Sequence, residues 1–248
     1  MLDYIIENKI YVVYIFEFLA AVSGAYYLKV SKSTNKGIVY FIYGLWLTIF
    51  IELIALYSPW SYFEGYKTFP YIEYSVFKHN YWLYNSFKII SFSIFFNLFI
   101  YQLSSPKTRR VLYGLMGFFV ISSLLNLILT DAFFKAISSY TTISGSILLL
   151  ICVGAYYYDI LKSDKILLFY RNIPFYSSIA FLVWHLSTTP IYIYNRYFSL
   201  KNPHFVDFHF DLFRYSNVFM YSCFIIGFLV CSKWERSQSG KSKSSRDT

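Results

Sequence analysis

Charged side chains are scarce in this sequence. Asp, Glu, Lys and Arg make up 14% of its 248 residues, against about 25% in an average soluble domain. Hydrophobic residues make up 57% of the chain, and the mean hydropathy is +0.45. This balance excludes an ordinary water-soluble domain. It predicts an integral membrane protein whose main partner is the lipid bilayer.

Cysteines are few and glycosylation signals are absent. The three cysteines, Cys152, Cys223 and Cys231, all lie in apolar stretches, where we expect them to act as small core residues. No disulfide framework is implied. The sequence has no Asn-x-Ser/Thr sequon, which agrees with a multi-pass protein of a bacterial inner membrane.

Seven long apolar stretches are what the sequence does contain. A helix needs about 20 residues to cross the hydrocarbon core of a bilayer. The predicted fold class is therefore all-α, a polytopic bundle of seven transmembrane helices in one domain, residues 1–236. The predicted helices cover about residues 10–28, 37–57, 81–103, 111–129, 140–161, 175–194 and 215–231. Residues 237–248 are predicted to form a disordered basic cytoplasmic tail.

The orientation follows from the distribution of basic residues between the connections. The connections after the first, third and fifth helices, together with the C-terminal tail, carry 14 Lys and Arg residues, and the opposite side carries 7. By the positive-inside rule the first side is cytoplasmic. The N-terminus is then outside and the C-terminus inside. The net charge of +9 is thereby explained as a topology signal, and no nucleic acid partner is required.

Three charged residues interrupt the first three predicted helices at a similar depth. At about 1.5 Å per residue, Glu17 and Lys88 lie roughly 10 Å below the outer face and Glu52 roughly 8 Å below it. A lysine in the bilayer costs about 2.5 to 3.5 kcal/mol on insertion scales, so its ammonium should face a partner or a wet cavity. The sequence therefore predicts a cluster of Glu17, Lys88 and Glu52 in a pocket open to the outside.

Further polar residues fall in the outer half of the bundle. Asn85 is one turn from Lys88, Asn126 lies near the outer end of the fourth helix, and His185 lies near the midplane of the sixth, followed by a kink at Pro190. The predicted ligand-binding residues are Glu17, Glu52, Asn85, Lys88, Asn126 and His185. A purely structural role is the alternative, in which Glu and Lys bridge helices and His185 bonds to a helix carbonyl or a threonine.

Histidines in the outer connections offer a second kind of site. His79, His204 and His209 could bind zinc or respond to low external pH. The alternation of polar and apolar residues over 207–213 predicts a short extended or interfacial segment. The competing interpretation is a connection anchored at the lipid headgroups by Phe205, Phe208, Phe210 and Phe213.

Missing motifs exclude three kinds of membrane protein. A microbial rhodopsin carries a retinal-bearing lysine within its seventh helix, and the predicted helix 215–231 has none. Membrane hydrolases of the ceramidase and progestin-receptor-like group carry a His-x-x-x-His pair in the last helix, where this sequence has no histidine. Sugar transporters with Pro-Gln motifs are excluded because no Pro-Gln dipeptide occurs. No motif indicates a cofactor.

Three functions are compatible with these features. The leading hypothesis is a binding or sensing protein with an outward-facing pocket for a small ligand, which signals to a separate cytoplasmic or membrane partner because no catalytic domain is present. A proton- or ion-coupled transporter, with Glu17, Glu52, Lys88 and His185 as a relay, is the second. A membrane-embedded metal-dependent hydrolase is the third. The sparse polar content of the inner half favours binding over transport.

Overall fold

The computed structural model of the chain describes residues 2–31, 35–194 and 203–244. All regular structure in these ranges is helical, as predicted. The α-helices are, in chain order, α1 Leu2–Glu7, α2 Ile10–Val30, α3 Lys36–Ala55, α4 Tyr57–Phe63, α5 Pro70–Glu73, α6 Tyr81–Ile100, α7 Pro106–Leu129, α8 Ala132–Lys135, α9 Ser139–Leu161, α10 Ile173–Tyr194 and α11 Pro203–Ser244. Two 3₁₀ segments, Val76–Lys78 and Asp164–Arg171, lie between them.

Six helical segments in the described ranges are long and apolar enough to cross a membrane. They are Ile10–Val30, Lys36–Phe63, Tyr81–Ile100, Pro106–Leu129, Ser139–Leu161 and Asp207–Ser237. The remaining long helix, α10, has 22 residues and is not among these six. The prediction of seven apolar helices is thus met in six of them.

The last helix is longer than predicted at both ends. The sequence predicted a short extended or interfacial segment over 207–213; these residues are helical, because α11 already begins at Pro203. Every second residue of a strand points to the same face, and residues four apart share one face of a helix. The alternation was therefore compatible with both structures. The helical backbone also continues to Ser244, through most of the tail predicted to be disordered. Residues 245–248 of that tail lie outside the described residues.

The long helices run alternately up and down, and α6 is central. It packs against α3, α7 and α9, while α11 packs along α2 and α10. We call the end at which α2, α6, α9 and α11 begin the upper end. The lower half is filled by an aromatic core of fully buried rings, namely Phe41, Phe96, Phe99, Phe181, Phe224 and Phe228. All of these except Phe96 lie in edge or stacked contact with one another, and Phe96 stacks on Phe92.

The connection between α3 and α6 is folded tightly onto the upper end. The Tyr57 hydroxyl donates to the Phe77 carbonyl at 2.6 Å, and the Ser58 hydroxyl donates to the Lys78 carbonyl at 2.8 Å. The Asn80 amide donates to the Ala55 carbonyl, at the last residue of α3, at 2.7 Å. These bonds fix how α3 and α6 meet, and with them the relative positions of Glu52 and Lys88.

Candidate functional site

A cavity of about 320 Å³ lies in the upper half of the bundle, between α3, α6, α9, α10 and α11. We call it the central cavity. Its polar lining includes Glu52, Tyr84, Lys88, Thr142, His185 and Tyr192, and its apolar walls are largely aromatic, among them Phe92, Phe95, Phe181, Trp184 and Phe213. The aromatic core lies below it. The cavity has the volume and the mainly apolar lining of a small-molecule site.

Among the described residues that line this cavity, Lys88 is the only lysine or arginine. Its Nζ donates to the Thr142 hydroxyl at 2.8 Å and lies 4.7 Å from the centroid of the Tyr192 ring. No carboxylate in the described part of the chain forms an ion pair with it. An ammonium has three donors, so donors remain for a group within the cavity.

Glu52, on α3, lines the same central cavity as Lys88, on α6. Its Oε2 accepts a hydrogen bond from the Tyr84 hydroxyl at 3.0 Å. Tyr84 lies one turn before Lys88 on α6, so the two polar side chains share a helix face. Glu52 lines the central cavity and also a second cavity of about 290 Å³ between α2 and α3.

Glu17 does not line the central cavity. It lines the second cavity beside Glu52 and Tyr14, and only 3% of its surface is exposed. Its Oε1 has no hydrogen-bond partner among the described residues. The three predicted charges therefore occupy neighbouring cavities at the same level, with Glu52 shared between the two cavities. The prediction was one cluster in one pocket, whereas these two cavities divide the three residues, and no ion pair joins them in the described residues.

His185 is held by a hydrogen-bond chain along α9. Its Nδ1 is 2.8 Å from the Ser146 hydroxyl, which donates to the Thr142 carbonyl, also at 2.8 Å. The single proton of Ser146 is then used, so Nδ1 of a neutral imidazole carries the proton and Nε2 is the acceptor. The ring packs on Phe92 and Trp184, with centroids 5.5 and 4.7 Å away. Thr142 thus links Lys88 to His185.

The two asparagines predicted as ligand-binding residues lie outside both cavities. The Asn85 amide donates to the carbonyls of Ala132, Phe133 and Ala136 at 3.2, 3.3 and 2.9 Å, and its Oδ1 accepts from the Ser138 amide at 2.9 Å. The Asn126 Oδ1 accepts from the Ser138 hydroxyl at 3.0 Å. Both side chains therefore hold the connection between α7 and α9 in place.

Tyrosines and Trp184 complete the upper half and were not predicted. Tyr84 and Tyr192 contact Glu52 and Lys88, and Trp184 Nε1 donates to Asn217 Oδ1 at 2.7 Å across α10 and α11. The chain has 27 tyrosines, so no single one stood out. The sequence signal that could have found them is the spacing of a tyrosine from another polar residue on the same helix face. Tyr84 lies four residues before Lys88, and Tyr221 lies four residues after Asn217.

The histidines of the proposed metal site are not assembled in the described residues. The His79 ring packs on Tyr81 with centroids 5.2 Å apart, and the His209 ring packs on Phe213 at 4.7 Å. The side chain of His204 lies outside the described part of the chain. Within that part, no group of three or more His, Cys, Asp and Glu side chains has the arrangement needed to hold a metal ion.

Comparison with protein-family models, with curated proteins and with solved structures gives no match to this chain. No activity or ligand is therefore carried over from another protein. The features that bear on function are the six apolar helices, which are compatible with a multi-pass membrane protein, and the two adjoining cavities with their buried charges.

Proposed function

We propose that this protein is a binding or sensing module of the plasma membrane, which takes up a small ligand in the central cavity from the outer side. The observation that carries the proposal is the Lys88 ammonium, which faces an aromatic-walled cavity with one hydroxyl partner and no carboxylate partner. A buried charge in a membrane protein is costly and is functional by default. A ligand acceptor group would supply the missing partner.

The lining of the central cavity sets the class of ligand. The donors left on Lys88 favour an acceptor, most strongly a carboxylate, because charge-assisted hydrogen bonds are the strong ones. The rings of Phe95, Phe181 and Trp184 favour an apolar or aromatic body. A cavity of about 320 Å³ admits only a small molecule. The proposed ligand is therefore a small aromatic or apolar carboxylate.

Binding is favoured over transport by what lies beneath the cavity. The aromatic core closes it from below, and three serines of the lower half bond to nearby groups of the protein. Ser23 and Ser93 donate to carbonyls of their own helices, and Ser178 pairs with Tyr157 at 2.7 Å. A transport path would need polar groups facing a common channel. The ligand signal would accordingly pass to a separate partner.

The proposal includes α10 as a seventh membrane span. Its polar residues face the protein and not lipid, since His185 is 3% exposed and Thr188 is fully buried, with the Thr188 hydroxyl bonded to the Trp184 carbonyl. A helix whose polar groups are buried in protein needs less overall apolarity to span. With seven spans and the basic connections inside, the N-terminus lies outside. The membrane that we propose is a bacterial inner membrane.

Reporter fusions test this topology. We expect green fluorescent protein to fluoresce when fused after Arg171, before α10, and alkaline phosphatase to be active only when fused after Lys201, because the two points should lie on opposite sides of the membrane. Fusions after Thr248 should behave like those after Arg171. If the fusions after Arg171 and Lys201 report the same side, α10 does not span.

Ligand binding is tested by thermal unfolding of the detergent-purified protein against aromatic carboxylates and their uncharged amides. A carboxylate present at 100 times its Kd should stabilise the wild-type protein by about 2.7 kcal/mol, and its amide far less. Lys88→Met should abolish the shift. The matched control is Lys135→Met, at an exposed lysine paired only with Asp131, which should keep it. Equal shifts in Lys88→Met and wild type would end the proposal.

A further inference from the structure

The second cavity is lined by a buried carboxyl group, one of whose two oxygens has no hydrogen-bond partner among the described residues. Glu17, on α2, is 97% buried, and its Oε1 has no hydrogen-bond partner in the described chain. Glu52 lines the same cavity from α3, together with Tyr14 and apolar residues such as Ile49 and Leu53. Two carboxyl groups thus face one space of about 290 Å³.

Phenol hydroxyls surround the two carboxyl groups. Tyr14 lines the second cavity beside them, the Tyr84 hydroxyl donates to Glu52 Oε2 at 3.0 Å, and the Tyr221 side chain hydrogen-bonds to Glu17. We call these five residues the carboxylate cluster. They come from α2, α3, α6 and α11, and no Lys or Arg in the described residues forms an ion pair with either carboxylate. The cluster offers hard oxygen ligands and has no cation of its own.

Such a pair of carboxylates must be neutralised, because uncompensated charge buried away from water is strongly unfavourable. A shared proton would need a direct hydrogen bond between the two carboxyl groups. No such bond joins Glu17 to Glu52, both of which the structure describes. A proton on Glu17 alone would not give Oε1 a partner. The cavity between the carboxyl groups instead leaves room for an ion.

We propose that the carboxylate cluster binds one hard monovalent cation of the Na⁺ class in the second cavity. Carboxylate, hydroxyl and water oxygens are the ligands that hard cations prefer. A water takes about 30 Å³, so the space holds an ion with several waters. Glu17 and Glu52 carry a formal charge of −2, and Lys88, which lines the adjoining central cavity without pairing with either, brings the sum over both cavities to −1. One monovalent cation neutralises that sum.

Cation binding is linked to the central cavity through Glu52, which lines both cavities. This link rests on the proposed function, whereas the cation site itself does not. A cation near Glu52 lowers the negative charge that an entering carboxylate meets, so each ligand should tighten the binding of the other by the same factor. The protein would then bind its anionic ligand best in the presence of Na⁺.

The test is binding of ²²Na⁺ to the purified full-length protein in choline chloride at fixed pH and ionic strength. We expect saturable binding with one ion per chain, displaced by unlabelled Na⁺ and not by choline. Glu17→Gln and Glu52→Gln should each weaken binding at least about tenfold. The matched control is Glu7→Gln, which makes the same change at an exposed position of the upper end and should bind Na⁺ normally.

Wild-type protein alone can decide the question if the Glu17 and Glu52 variants fail to fold. No saturable ²²Na⁺ binding, with thermal stability that depends on pH but not on Na⁺, would assign the cluster to protons and overturn the proposal. If Ca²⁺ displaces ²²Na⁺ at a far lower concentration than unlabelled Na⁺ does, the proposal that the site binds a monovalent cation is wrong. Lys88→Met should still bind Na⁺, so loss of the carboxylate ligand and loss of the cation site are distinguishable.

Discussion

Replacing Asn85 by alanine is expected to lower the free energy of unfolding by about 2 to 4 kcal/mol. The Asn85 side chain is 1% exposed and bonds to the Ala136 carbonyl and the Ser138 amide, each at 2.9 Å. A buried backbone group left without its partner costs about 1 to 3 kcal/mol. The variant leaves the buried Ser138 amide without its partner where α9 begins, and it also removes the bonds to the carbonyls of the preceding connection, each worth about 0.5 to 1.5 kcal/mol. Unfolding in mixed micelles, followed by circular dichroism, measures the loss.

The same substitution at Asn97 is the matched control for Asn85. Asn97 lies on the same helix, but its amide donates to the carbonyl of Ser93 in its own helix at 2.8 Å and to the Met116 sulfur at 3.8 Å. Its removal leaves the helix backbone bonds intact, so Asn97→Ala should cost less than about 1 kcal/mol. Equal losses at the two positions would show that the bonds of Asn85 to the connection between α7 and α9 do not contribute the expected stability.

The level of the charged residues was predictable because depth depends only on distance along a helix. Counting 1.5 Å per residue placed Glu17, Glu52 and Lys88 at one level, and the structure has Glu52 and Lys88 on one cavity and Glu17 on the next. Rotation about the helix axis was not predictable from apolar sequence, because a helix that is apolar all round carries no strong periodic signal. Depth alone therefore could not show that Glu17 and Lys88 would line different cavities.

Asn85 illustrates the same difficulty for hydrogen-bonding residues. It was grouped with Lys88 because the two are three residues apart on one helix. Its partners, however, lie in the connection from Ala132 to Ser138, and such long-range bonds depend on how a loop folds back. Depth and spacing therefore predict which polar groups share a level, and the fold of the connections decides which of them face a cavity.

The boundaries of α11 show a different limit of sequence reasoning. Hydropathy confined the last span to 215–231, whereas the helix covers Pro203–Ser244. Its additional turns are polar and are held by side-chain contacts such as the Asp211 and Arg214 ion pair. The Arg214 guanidinium also donates to the Asn8 carbonyl at 2.9 Å, a contact across 206 residues. Apolar content marks the part of a helix inside lipid, not its ends.

Gly145→Ala is expected to destabilise the protein by about 1 to 3 kcal/mol, the usual cost of overpacking a filled core. A Cβ at Gly145 would lie 2.6 Å from two ring atoms of Phe92. That ring cannot move freely, because it is 4% exposed and packs against Phe96 at 5.9 Å and Phe119 at 5.7 Å. The same unfolding measurement applies.

Gly154→Ala is the matched control for Gly145, because it makes the same change nine residues further along α9, where an added Cβ meets no atom within 4 Å. It should be neutral or stabilise by up to about 1 kcal/mol, since alanine favours a helix over glycine.

Phe92 also packs on His185, with ring centroids 5.5 Å apart, and both line the central cavity. Gly145→Ala should therefore weaken carboxylate binding at temperatures where it remains folded, whereas Gly154→Ala should not. Unchanged binding and stability in Gly145→Ala would mean that Phe92 is free to move, and that the close approach of α6 and α9 does not set the floor of the cavity.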